Sequence, residues 1–357
     1  MKSTFYHKCF ILLITLLFST PSLFADTFYV NDNSTAGDVF TTAVGSNSNN
    51  GSASAPFATI SYALTQVAAD DYIYVDAGTY TEQVTTDKGI TIIGAGQNLT
   101  SILKPAVTVA PPGSFTEQGV IQTAQSILGD VHISNLSVTG DLGGLVGGIF
   151  IPAVTPIILQ TGGSVRNCNL QNGNQGIFVR IDPAINLATK IFVVDGNTIN
   201  AEYIAVNFAG TRLTATLSNN ILAAFNTGSS TGVFAGLDFG TLQALTVTGN
   251  VFSSYVSDGL LVNTNNGTIS QNSFTGTGAK AINKIGGSTS NATCNWYGSA
   301  NAAIVIPKLT GTINFSPWLS NGTDNAVAVG FQPLPNVCDG RQNKFYVNDN
   351  SSIGDVF

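Results

Sequence analysis

Arg166 and Asp195 are the residues whose types and spacing most readily suggest chemistry. Each takes the second place of a six-residue pattern, Val165-Arg-Asn-Cys-Asn-Leu170 and Val194-Asp-Gly-Asn-Thr-Ile199. In stacked strands they become ladder neighbours about 5 Å apart. A carboxylate base beside a cation is the minimal equipment for abstracting a proton next to an acid group. An exposed ion pair, worth roughly 0–1 kcal/mol, accounts for the same spacing with no further residues and is the simpler reading. Asp238, within Gly236-Leu-Asp-Phe-Gly240, is a second carboxylate candidate. Asp32 and Asp38 flank an Asn-rich loop whose carboxylates and amides suit Ca2+, although the twelve-residue calcium loop with its closing Glu is absent. His132 alternates outward between Val131 and Ile133, which marks an exposed histidine rather than a catalytic one.

The remaining inventory excludes several chemistries. The acids of the repeat region are Asp130, Asp141, Asp182, Asp195, Glu202, Asp238 and Asp258, and none follows until Asp324. Any acid-based site in the repeats therefore lies in their first half, and no three of these acids are expected to converge. Cys168, Cys294 and Cys338, with His132, cannot assemble a zinc cluster. The net charge of −7 and the four arginines, Arg166, Arg180, Arg212 and Arg341, offer no electropositive track, which argues against nucleic acid.

These residues need a scaffold, and a repeat supplies it. The six-residue pattern recurs at Ile133–Val138, Val165–Leu170, Val194–Ile199, Leu217–Leu222, Val247–Phe252, Ile269–Phe274 and, degenerately, Ala292–Tyr297. Its fourth place is Asn197, Asn220, Asn250, Asn272 and Asn295 in five copies and Cys168 in another, at intervals of 22 to 32 residues. Such intervals fit a solenoid in which one loop per coil varies in length. Apolar first and sixth places stack inward. The fourth-place Asn is expected to stack into an amide ladder and to adopt the left-handed backbone that a sharp bend needs. Gly148–Ile151, Gly176–Val179 and Gly259–Val262 read as the next strands of their coils, and Pro56–Ala68 has helical spacing suited to capping the open end. The fold expected is an all-β, right-handed, single-stranded parallel β-helix with a short N-terminal capping helix. A β-sandwich explains the recurring Asn less well.

The residues from Pro56-Phe-Ala-Thr-Ile60 through Ala77-Gly-Thr-Tyr80 to Ile92-Ile-Gly-Ala-Gly96 resemble the opening coils of the pectin-lyase-like superfamily. Cys294-Asn-Trp-Tyr-Gly298 and Ile313-Asn-Phe-Ser-Pro-Trp-Leu319 resemble the closing coil of secreted β-helix repeat proteins of Bacteroidetes type. The resemblance implies the fold, and a groove along one sheet in which clustered acids and cations handle acidic or neutral polysaccharide. It covers roughly residues 28 to 320 and is specific for fold, not activity. Against the pectin methylesterase pattern Gly-x-Val-Asp-Phe-Ile-Phe-Gly, Asp238 keeps only the Asp-Phe, and no arginine lies between Arg212 and Arg341.

Residues 1–25 have the zones of a secretory leader, Lys2 and Lys8, the apolar run Cys9 to Phe18, and a polar stretch ending at Ala25. No later segment is apolar for long enough to span a bilayer. Residues 26–322 are assigned to the β-helix, 323–343 to a linker and 344–357 to a second module, because Phe345–Phe357 repeats Phe28–Phe40 at 11 of 13 positions. Five coils separate Cys168 from Cys294, about 24 Å, so Cys168 should be a free thiol inside the stack and Cys294–Cys338 the one bridge available. The function expected is that of an extracellular non-catalytic module, an adhesin or surface scaffold binding glycans. The alternative is a lyase or hydrolase of acidic polysaccharide. Ice binding through Thr214, Thr216, Thr246 and Thr248 is disfavoured by the variable coil length.

Overall fold

The computed structural model describes residues 25–112, 116–125, 127–146, 149–335 and 337–338. Residues 1–24 of the stretch read as a leader, and the second copy of the Phe28–Phe40 segment, lie outside them. Among the described residues each repeat contributes one short strand to each of three parallel sheets, and the sheets hold 11, 8 and 9 strands. Sheet one contains Val131–Ser134, Gly163–Arg166, Lys190–Asp195, Leu213–Ser218, Ala244–Thr248 and Gly267–Ser270 in ladder order. Sheet two follows within each coil, with Asn169–Gln171, Thr198–Ala201, Ile221–Ala224 and Val251–Ser254. Sheet three closes the coil, with Gln118–Thr123, Val154–Leu159, Gln175–Arg180, Ile204–Ala209, Thr231–Ala235, Asp258–Asn263 and Lys280–Gly286. The architecture is a right-handed parallel β-helix.

Its core follows from the period-2 alternation of each strand. First-place residues Val165, Val194, Leu217, Val247 and Ile269 are fully buried, as are the sixth-place Leu170, Leu222, Phe252 and Phe274. Like side chains stack on like: the Phe252 and Phe274 ring centroids are 4.4 Å apart, and Tyr297 lies 5.7 Å beyond Phe274. Offset aromatic columns of this kind add to the burial energy.

The bend between sheets one and two divides two tasks that the sequence assigns to one residue. The left-handed residue is the third of the pattern, Asn135, Asn167, Gly196, Asn219, Gly249, Gln271 and Cys294, with φ between 52° and 69°. The fourth-place Asn turns inward instead, fully buried. Five of these seven are Asn or Gly, which tolerate positive φ, and Gln271 and Cys294 are held in the same region by the bend. That frees the fourth to point its amide along the axis.

Three other expectations are corrected. The capping helix is Ile60–Gln66, not Pro56–Ala68, because Phe57 is still extended and pairs with Val30. Thr59 caps it through Oγ1, and Glu82 accepts the backbone N–H groups of Ile60 and Ser61 at 2.9 and 2.8 Å. Of the stretch Gly148–Ile151, the described strand Ile149–Ile151 is not a coil strand. Ile149–Ile151 pairs antiparallel with Gly144–Val146 in an inserted hairpin, and the coil strand there is Val154–Leu159. Finally, variable coil length does not break the rung register: Thr216 pairs with Thr246 and Thr246 with Thr268, while Thr214 faces Ala244 and Thr248 faces Ser218 and Ser270. Loops between sheets take up the difference, so the ladder never feels it.

Cys294 and Cys338 form a disulfide with Cα atoms 5.4 Å apart, and Cys168 is free and buried. The segment before Cys338 folds back along the body. Its Phe331 is buried and donates its N–H to the carbonyl of Gly249 at 2.6 Å.

Candidate functional site

A cleft of about 550 Å³ on the outer face of sheet three is lined by Thr116, Glu117, Phe178, Arg180, Asp238 and Phe239. Alternation builds its floor. Ile177 and Val179 point into the solenoid and are fully buried, so Phe178 and Arg180 on the same strand point out. Phe178 joins Ile158 and Ala209 in a small apolar cluster separate from the main core. The two ladder relations behind it are Ile158 with Phe178 and Arg180 with Ala209.

The wall is the tight turn from Gly236 to Gly240. Gly236 has φ 75°, and a Cβ there would lie 2.1 Å from the carbonyl oxygen of Asn263, so only glycine fits. Phe239 itself has φ 60°. A bulky side chain in the left-handed region is costly, and such strain gathers at ligand-facing positions. The turn lays the Phe239 ring under the Arg180 guanidinium, with Cζ 4.6 Å from the ring centroid. That is cation–π distance. Glu117 and Thr116 enter from the other side, just before the strand Gln118–Thr123. Glu117 and Asp238 are both exposed.

Chemically, the cleft combines two phenyl rings, two carboxylates and one guanidinium. Aromatic faces hold the C–H faces of sugar rings, and carboxylates accept from hydroxyls. Asp238 was the one candidate named from sequence that falls here. Its cationic neighbour comes from upstream, Arg180, and not from the stretch after Arg212, because proximity in a solenoid runs across coils. Glu117, Phe178, Arg180 and Phe239 escaped the sequence reading. The signal available was the outward Phe and Arg after Gly176, one of only four arginines in the chain.

The other named residues stand elsewhere. Arg166 and Asp195 pair in the ladder on sheet one, with Nη1 to Oδ2 at 3.0 Å. Asp195 also accepts from Ser218 Oγ at 2.6 Å and Asn219 Nδ2 at 3.0 Å. His132 Nδ1 lies 2.9 Å from Ser164 Oγ, beside a second cleft of about 450 Å³ that includes Asp70, Tyr72 and Asp130. Asp32 Oδ1 accepts the N–H of Ser34 at 2.8 Å, and Asp38 Oδ2 accepts from Asn31 Nδ2 at 2.7 Å. The organiser of that loop is Asp76, which accepts from the backbone of Val39, Phe40, Thr41 and Ala77 and from Thr41 Oγ1. Burial acts to raise its pKa, and the hydrogen bonds together outweigh it, holding the carboxyl below its ordinary value. Among the described residues no three His, Cys, Asp or Glu side chains are grouped to hold a metal ion, and no helix is long and apolar enough to cross a membrane.

Among solved structures the chain is similar to pectin methylesterase PemA from Erwinia chrysanthemi, at 11% identity over 89% of this chain and 95% of that one, with a TM-score of 0.45. It is similar to pectate lyase Pel9A at 12% identity over 84% and 80%, with a TM-score of 0.45. It is also similar to the A-module of the Azotobacter vinelandii mannuronan C-5 epimerase AlgE4, at 15% identity over 67% and 72%, with a TM-score of 0.41. No curated protein matches the chain in sequence. Residues 43–275 match the model of DUF1565, described as a protein of unknown function, and the chain, a right-handed parallel β-helix, belongs to that family.

Proposed function

We propose that the protein is an extracellular, non-catalytic β-helix module, an adhesin or surface scaffold that binds glycans in the cleft on sheet three. The observation that carries this reading is the convergence of Phe178, Phe239, Arg180, Glu117 and Asp238 from three separate stretches of chain on one cleft of about 550 Å³. Rings paired with hydrogen-bonding acceptors are what a sugar needs. Both carboxylates stand open to water, whereas acid–base catalysts are ordinarily enclosed, which favours binding over turnover. A second reading, a polysaccharide lyase or glycoside hydrolase, draws on the fact that Glu117, Asp238 and Arg180 share the cleft: two acids and a cation are also catalytic equipment.

One experiment separates them. The full chain is screened for binding to immobilised polysaccharides, alongside assays for new reducing ends and unsaturated uronate. Binding that Phe178→Ala or Asp238→Asn weakens, without product, is the expected result. Product formation abolished by Asp238→Asn would favour the enzyme, and no binding to any polymer would remove the glycan reading.

A further inference from the structure

We infer that the cleft on sheet three takes a polysaccharide bearing protonated amino groups; the inference rests on the glycan-binding reading above and names its ligand class. The charges of the lining do not balance. Glu117 and Asp238 stand exposed on its two sides. Neither is in an ion pair among the described residues, where the pairs formed are Lys104 with Asp141 and Arg166 with Asp195. The one cation of the lining, Arg180, has its guanidinium laid over the Phe239 ring. A neighbouring cleft that includes Gln118 brings Lys104, and that ammonium is already 2.9 Å from Asp141. Two carboxylates therefore remain to be matched by something the chain does not supply.

The charge of the ligand decides how well it meets them. A uronate or sulfate sets like charge against both acids and against the net charge of −7. A neutral sugar donates ordinary hydroxyl hydrogen bonds. A protonated amine donates charge-assisted ones, roughly twice as strong, to carboxylates that only accept. The field of the whole chain also draws a cation in before contact. Because Glu117 and Asp238 enter from opposite sides, a polymer with an amine on each sugar serves both. The remaining lining suits the body of such a sugar. Phe239, 38% exposed, offers a ring to its C–H face. Arg180 and Thr116 donate to its hydroxyl and ring oxygens. The floor, where Phe178 packs with Ile158 and Ala209, brings no competing polar side chain.

The test uses ligands that differ only in charge. The full chain is titrated in mildly acidic buffer with glucosamine oligomers, the same oligomers N-acetylated, oligogalacturonates of equal length, and polylysine. The variant Glu117→Gln with Asp238→Asn removes both charges and keeps the shape, and Asp87→Asn removes one exposed charge away from the cleft. Thermal melts check that both variants fold. Glucosamine oligomers are expected to bind about tenfold tighter than their N-acetylated forms and to weaken as salt rises. The double variant should erase that difference, and Asp87→Asn should leave it standing. Equal or tighter binding of the acetylated or uronate oligomers would overturn the ligand class and leave glycan binding intact. A preference for glucosamine that survives in the folded double variant would overturn the role of the two carboxylates. Polylysine bound as tightly as glucosamine oligomers, and lost in the double variant, would show that the cleft reads amines without reading sugar. If no oligosaccharide binds, glycan binding fails and this inference with it.

Discussion

The side-chain oxygen of Asn220 accepts two hydrogen bonds from Asn197, one from its backbone N–H and one from its Nδ2, both at 2.9 Å. The relation repeats upward, from Asn220 to Asn250, Asn250 to Asn272 and Asn272 to Asn295, each at 2.8 to 3.0 Å. Each amide thereby satisfies a backbone donor that the bend withdraws from the sheet ladders. Polarisation along such a chain strengthens each member.

Asn250→Ala breaks this column in its middle. It removes the acceptor for Asn220 and the donors to Asn272 Oδ1 and to the carbonyls of Leu217 and Thr248. Several buried groups lose partners at once, so the variant should lose about 2–4 kcal/mol. Denaturant melts measure this, and a loss below about 0.5 kcal/mol would mean that the ladder is decoration on a core already sufficient.

Cys168 takes a place in the same column, and Asn197 Oδ1 accepts its backbone N–H at 2.9 Å. Burial pushes its thiol up to about 12, against smaller lowering effects from hydrogen bonds with Leu136, Arg166 and Asn135. The thiol should therefore resist alkylation at pH 8 until the protein unfolds. A folded-state value above the unfolded one favours folding below the unfolded pKa, and that contribution is lost as pH rises through the folded one. Cys168→Ala should flatten the fall in stability on the alkaline side, which pH-dependent melts would reveal.

Asp76 has the opposite sign. Its folded-state pKa lies below the ordinary value, so its ionised form stabilises the fold above the unfolded pKa, and this stability is lost as pH falls through the folded value. Asp76→Asn should cost about 1–3 kcal/mol at pH 7. The stability curves of variant and parent should draw together in acid. A constant gap from pH 7 to pH 2 would refute the assignment.

Arg166 and Asp195 serve as the control. The pair is solvent-exposed at 44% and 28%, so Arg166→Ala should cost no more than about 1 kcal/mol. Asp195→Ala should cost more, because Ser218 and Asn219 lose their acceptor too. Neither substitution should alter glycan binding, since the pair lies on sheet one. A binding defect in folded Arg166→Ala would relocate the site.

What repeats was legible in the residues alone. The recurring Asn, the apolar first and sixth places, the Arg166–Asp195 rung, the free Cys168 and the Cys294–Cys338 bridge all follow from one alignment of coils, because stacking converts sequence offset into height along the axis. Tertiary structure decided what does not repeat. The shift of the left-handed residue to the third place depends on how the bend closes against the buried amides. The strand Ile149–Ile151 matches a coil strand in composition and differs in its partner, Gly144–Val146. The cleft draws Glu117, Phe178 and Arg180, and Asp238 and Phe239, from stretches more than 50 residues apart. Those residues meet because loops of unrelated length fold over the same sheet. No period in the chain encodes where a loop comes to rest; packing against Phe178 and Arg180 does.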